Sequence, residues 1–139
     1  MYLEEHIDIA APPARVWEAT VDLARWPEWT PTVTTVELLD PPPVRPGHRA
    51  RLTQPGNRPA VWTVTEVDPE RSFRWEMRTF GMPVEAIHRM EPTATGTRVT
   101  LAIDVTGPTA PLLGRFVMRV SRQFVPQEAE ALRRRCEAP

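Results

Sequence analysis

The stretch Ile7–Trp29, IDIAAPPARVWEATVDLARWPEW, decides the fold of this chain. Leading into it, Leu3, Glu5, Ile7 and Ile9 alternate with Tyr2, Glu4, His6 and Asp8, the period of a strand with one face turned inward. Pro12-Pro13 stops that strand, because proline has no amide to give to a ladder. A helix is expected to start there, since a first helical turn leaves its amides unpartnered and tolerates proline. Val16, Trp17, Thr20 and Val21 then recur at helical spacing. Trp26-Pro27-Glu28-Trp29 closes the segment as a rigid aromatic corner.

Beyond the corner, strands are expected near 33–39, 48–54, 60–67, 72–78, 84–91 and 97–105. Turn signals separate them at Pro41-Pro42-Pro43, Pro55-Gly56-Asn57, Asp68-Pro69, Gly81-Met82-Pro83 and Thr95-Gly96. Strand, two short helices, six more strands and one long helix make an α+β order. The short connections imply an antiparallel meander with one wet face and one face buried by the final helix. In that helix Leu112, Leu113, Phe116, Val117, Val120 and Phe124 read as one inward stripe, with Arg115, Arg119 and Arg122 opposite. Pro126 falls inside the pattern, where proline costs about 3 kcal/mol, so either the helix kinks near Phe124 or a second helix starts there.

Composition narrows the function. The 139 residues fit one domain spanning 1–139. With Lys+Arg 17 against Asp+Glu 18, the formal charge of -1 gives no global field for nucleic acid or an anionic membrane, so partners must be argued locally. Every basic residue is arginine, which excludes Schiff-base chemistry and a lysine-dependent phosphate loop. The lone Cys136 allows neither an intrachain disulfide nor a cysteine metal cluster, and it reads as an exposed terminal thiol. A cytoplasmic setting is expected, with no export pattern and no apolar run near the roughly 18 residues of a membrane span. There is no glycine-rich phosphate loop, no G-x-S-x-G, no H-E-x-x-H, and His6, His48 and His88 are not spaced for one metal. No metal and no cofactor are expected.

Strand parity then selects the inward residues. Phe73, Trp75 and Met77 share a face, as do Val84, Ala86, His88 and Met90, and Val99, Leu101, Ile103 and Val105. Glu5 and His88 are the two polar residues on apolar faces. Burying an ionisable group is costly unless it is paired or neutralised. His88 is either a neutral imidazole bonded to a neighbouring group or a residue facing a ligand; Glu5 either reaches water at an edge or does the same. Of five tryptophans, Trp17, Trp26 and Trp29 read as core and corner packing, whereas Trp62 and Trp75 lie on strands. The parity of strand 60–67 stays open, because Val61, Thr63 and Thr65 make as good an inner set as Trp62 and Val64.

The opening strand, the A-P-x-x-V-W-like helix start and the W-P-x-W turn resemble the SRPBCC superfamily, also called START-like or polyketide cyclase/dehydrase-like. PAVWTVTEVDP at Pro59–Pro69, GTRVTL at Gly96–Leu101 and the helix after Gly107-Pro108 extend the resemblance over nearly the whole chain. It implies a helix-grip fold: a bent seven-stranded antiparallel sheet around a long C-terminal helix, with two short helices after the first strand. It further implies a cavity holding a small hydrophobic ligand of lipid, polyketide or aromatic type. The expected sheet wall is Trp62, Trp75, Met77, His88, Met90 and Leu101. The expected helix wall is Leu113, Val117, Val120 and Phe124. Two rival functions are a polyketide cyclase/dehydratase, with His88 as proton carrier and Glu5 as its partner, and an interaction protein with a filled interior. A monomer or homodimer without nucleic-acid partners is expected.

Overall fold

The computed structural model describes residues 1–139. Its elements are β1 (Tyr2–Ile9), α1 (Pro13–Val21), a 3-10 turn (Leu23–Arg25), α2 (Trp26–Trp29), β2 (Thr35–Leu38), β3 (Arg49–Thr53), β4 (Ala60–Asp68), β5 (Ser72–Thr79), β6 (Met82–Thr93), β7 (Gly96–Val105) and α3 (Ala110–Glu137). The strands form one antiparallel sheet in the order β1-β7-β6-β5-β4-β3-β2. Strands β2 to β7 are the expected meander, and β1 returns to the edge beside β7. This is the helix-grip arrangement. A register shift between Val64 and Glu66 adds twist where β4 meets β5. β6 begins two residues earlier than its sequence signal, because Phe80 and Gly81 both take positive φ and close a two-residue hairpin pairing Thr79 with Met82.

The quoted opening segment docks on the turn between β6 and β7. A Cβ on Gly96 would lie 2.1 Å from the Ile9 carbonyl oxygen, so only glycine lets the two backbones approach this closely. Next to it, the buried Thr97 hydroxyl donates to the Ala11 carbonyl at 2.8 Å. The chain thus leaves β1 across β7 and enters α1 with Val16 fully buried.

α3 is one continuous helix of 28 residues, about 42 Å long. No second helix starts at Pro126. That residue and Arg122 are both exposed, so the carbonyl that loses its donor faces water rather than the core. The inward stripe differs from the one read from the sequence. Gly114, Met118, Ser121, Val125, Ala129 and Leu132 face the interior, while Leu112 and Phe116 are 70% and 60% exposed. Gly114 lies at the close approach, where a Cβ would stand 3.0 Å from Met1 Sδ and 3.4 Å from Val105 Cγ1. The helix approaches β7 closely there, with its small residues inward and the bulky pair outward. Cys136 is buried rather than exposed, and burial pushes its thiol up to about 11. No helix is long and apolar enough to cross a membrane.

Candidate functional site

The concave face of the sheet and α3 do not meet everywhere. Between the inner sides of β3–β6 and the middle of α3 lies a cavity of about 780 Å³, lined mostly by apolar side chains. Trp62 and Val64 are buried while Val61 is exposed, which fixes the parity of β4 and turns Trp62 inward. Trp62 and Trp75 stand with ring centroids 5.3 Å apart, and Trp26 meets Trp75 edge-on at the same separation. Trp26 comes from α2, is anchored by its indole N–H donating to the Thr20 carbonyl at 3.1 Å, and borders the cavity as well. The aromatic corner is therefore part of the wall and not only packing. Trp62 Nε1 is a buried donor with no acceptor, a group that costs stability unless a ligand or water accepts from it.

His88 supplies the polar end. It is buried, flanked by Trp26 and Phe73 at 5.8 and 5.3 Å between centroids, and its Nδ1 lies 3.3 Å from the Phe73 carbonyl oxygen. That carbonyl can only accept, so it assigns the Nδ1 proton and leaves Nε2 facing Glu128 of α3, whose Oε2 is 3.8 Å away. The gap exceeds a direct hydrogen bond, and both groups line the cavity together with Ser121. A ligand hydroxyl can donate to Nε2 of the neutral ring or to the carboxylate, and a carbonyl can accept from the imidazolium or from Ser121. The arrangement can hold one hydrogen-bonding group, or pass a proton to it, at the end of an apolar chamber.

The sequence-derived candidates separate cleanly. Trp62, Trp75, Met77 and His88 on the sheet, and Val117, Val120 and Phe124 on α3, border the cavity. Met90 and Leu101 do not; they pack with Val99 and Leu132 in a core cluster beside β1 and α1. Leu113 packs against the other cluster, around Trp26 and Trp75. Glu5 is half-buried on β1 opposite Leu101, away from the cavity, so the carboxylate beside His88 is Glu128 and not Glu5. Glu128 and Ser121 have a sequence signal, because both continue the helical spacing of Val117, Val120 and Phe124 as polar members. No three His, Cys, Asp or Glu side chains cluster to hold a metal ion.

Comparison with known proteins agrees with this architecture. Among solved structures, the Zhui aromatase/cyclase from a Streptomyces species matches with a TM-score of 0.78 and 19% identity, covering 99% of this chain and 93% of that one. A START superfamily protein from Mycobacterium smegmatis matches at 0.74 and 18% identity over 98% and 97% of the two chains. A protein from Thermus thermophilus reaches 0.76 and 23% identity over 98% and 97%. No curated protein sequence matches the chain. A family model covers residues 2–137, and the chain belongs to the family it describes, polyketide cyclase / dehydrase and lipid transport.

Proposed function

We propose that residues 1–139 act as a single binding domain for a small hydrophobic molecule of lipid, polyketide or aromatic type, held between the sheet and α3. The carrying observation is the cavity itself: about 780 Å³ of space with a tryptophan wall and a lining that is mostly apolar. Native interiors are close-packed, so a space of this size between sheet and helix is not a packing accident. It also argues against an interior filled by its own side chains. Ring systems fit the Trp62–Trp75 wall, and a hydroxyl or carbonyl fits the His88–Glu128 end. Membership of the family supports both lipid-like and polyketide-like ligands.

The test is a fluorescence titration with an environment-sensitive hydrophobic probe, displaced in turn by fatty acids, sterols and aromatic polyketides. Saturable binding at one site per chain, displaced by one class and weakened by His88→Ala, is expected. Absence of saturable binding overturns the reading. A second reading, a cyclase or dehydratase, is favoured by the pairing of His88 with Glu128 inside the cavity. In that case Nε2 takes a proton from the substrate and Glu128 steadies the resulting charge. A limb of the pH–rate profile that disappears in His88→Ala, with Glu128→Gln lowering the rate, selects this reading over binding alone.

A further inference from the structure

We infer that the rim of the cavity is a docking surface for an anionic lipid bilayer. Two elements build the rim: the β5–β6 hairpin turn and the first half of α3. Phe80 sits at the tip of the hairpin, 66% exposed, held there by the positive φ of Phe80 and Gly81. Phe116 borders the same opening from α3, and Leu112, one turn earlier, is exposed on the same helix. Large apolar side chains exposed singly are ordinary on a soluble surface, but grouped around one opening they are informative.

The charges around them have one sign. Arg58 and Arg78 border the opening, and Arg115 and Arg119 are exposed on α3 beside Leu112 and Phe116. From Thr106 to Gln127 the chain contains no acidic residue, nor does it from Gln54 to Val64 or from Met77 to Val84. Eight arginines elsewhere, Arg25, Arg49, Arg51, Arg74, Arg98, Arg133, Arg134 and Arg135, each face a carboxylate, while Arg15, Arg45, Arg71 and Arg89 are unpaired but scattered. Those of the rim face none. A chain with net charge -1 thus groups four unpaired guanidinium groups, Arg58, Arg78, Arg115 and Arg119, where its aromatic tips emerge, in segments free of carboxylates. Arg115 and Arg119 alternate with Leu112 and Phe116 on the outer side of a helix, a pattern that suits a plane of diffuse negative charge over an apolar layer. Aromatic tips enter the headgroup region while guanidinium groups meet phosphates. On the reading that the cavity binds a hydrophobic molecule, docking here lets that molecule pass between bilayer and cavity without crossing water.

The experiment is co-sedimentation with phosphatidylcholine vesicles and with vesicles containing about 30 percent phosphatidylglycerol, run beside the probe titration. Binding to the anionic vesicles alone, falling as salt is raised, is expected. Arg115→Gln with Arg119→Gln is expected to weaken it about 25-fold, from about fivefold per arginine, and Leu112→Ser to weaken it further. None of these three residues lines the cavity, so probe binding is retained in both variants. Indifference of the wild-type protein to anionic vesicles, or equal binding by the double variant, overturns the inference. A concentration-dependent dimer abolished by the same substitutions reassigns the face to a second copy and overturns it equally. Vesicle binding without probe binding sinks the cavity reading and spares this one.

Discussion

The two flanks of α3 face the same sheet and treat it differently. Toward β1 and β7 the helix presents Gly114, Ala129 and Leu132, and the space around the last two is filled by Ile9, Val16, Val99 and Leu101. Toward β3–β6 it presents Val117, Val120, Phe124 and Glu128, and the sheet stands away behind the cavity. The polar ties follow the same division. Arg15 donates to the Arg135 carbonyl at 3.1 Å, the Ala10 amide donates to Glu137 at 2.9 Å, and Arg135 reaches Glu28 at 3.4 Å. All three fasten the C-terminal end of α3 to the junctions around α1 and α2. A helix packed along one flank and tied at one end can leave its other flank unfilled, so stability and binding occupy different residues.

Substitutions on the packed flank break the molecule if that division holds. Gly96→Ala pushes a Cβ against the Ile9 carbonyl where β1 turns toward α1, and relieving it must move backbone. The expected loss exceeds about 3 kcal/mol, read as the midpoint of denaturant unfolding. Leu132→Ala removes a buried leucine from the cluster that also holds Ile9 and is expected to cost about 2–5 kcal/mol. A loss below 1 kcal/mol at both sites contradicts the assignment of stability to this flank.

The division was partly legible in the sequence. Strict alternation placed Phe73, Trp75, Met77 and His88 on the inner face, because one-residue errors in a strand turn a core residue to water and the pattern is unforgiving. The helix was less legible. Ranking residues by size selects Leu112 and Phe116 as inward, whereas close approach to a sheet favours glycine, alanine and serine, which hydrophobic spacing does not weigh. Glu128 lies within reach of the helical period, whereas strand parity points to Glu5, because parity alone does not say which part of a sheet faces a cavity. Which of the inward residues touch each other depends on where α3 leans, and close approaches such as Gly114 to Met1 and Val105 carry little signal in hydrophobic spacing.

A chemical probe separates the flanks without perturbing them much. Cys136 lies in the packed cluster, and burial among apolar neighbours raises its pKa despite the nearby Arg15 and Arg135. A thiol held protonated and out of water reacts only when the helix end opens. At pH 8 a disulfide reagent is expected to label native Cys136 at least about tenfold more slowly than the unfolded chain. The sign is fixed by the shift: folding holds the proton, so this contribution to stability is complete below the unfolded pKa of about 9 and is lost as pH rises through about 11. In a Cys136→Ser background, Val120→Cys on the cavity flank should label quickly, because its side chain borders an opening. Equal rates at the two positions would show that the flanks do not differ in access.

The smallest expected effect on stability carries the sharpest distinction. Val117→Phe adds volume on the cavity flank, where Val117 is half-buried and borders open space. In a filled core the added carbons force strain of about 1–3 kcal/mol. Against the cavity wall they have somewhere to go, so stability should change by less than about 1 kcal/mol in either direction. Probe binding should nevertheless fall sharply, because the new ring occupies the space facing the Trp62–Trp75 wall. A stable variant that still binds would place the ligand elsewhere on the protein. A variant that unfolds would mean the cavity flank is as tightly determined as the other, and the contrast between the two sides of α3 would fail.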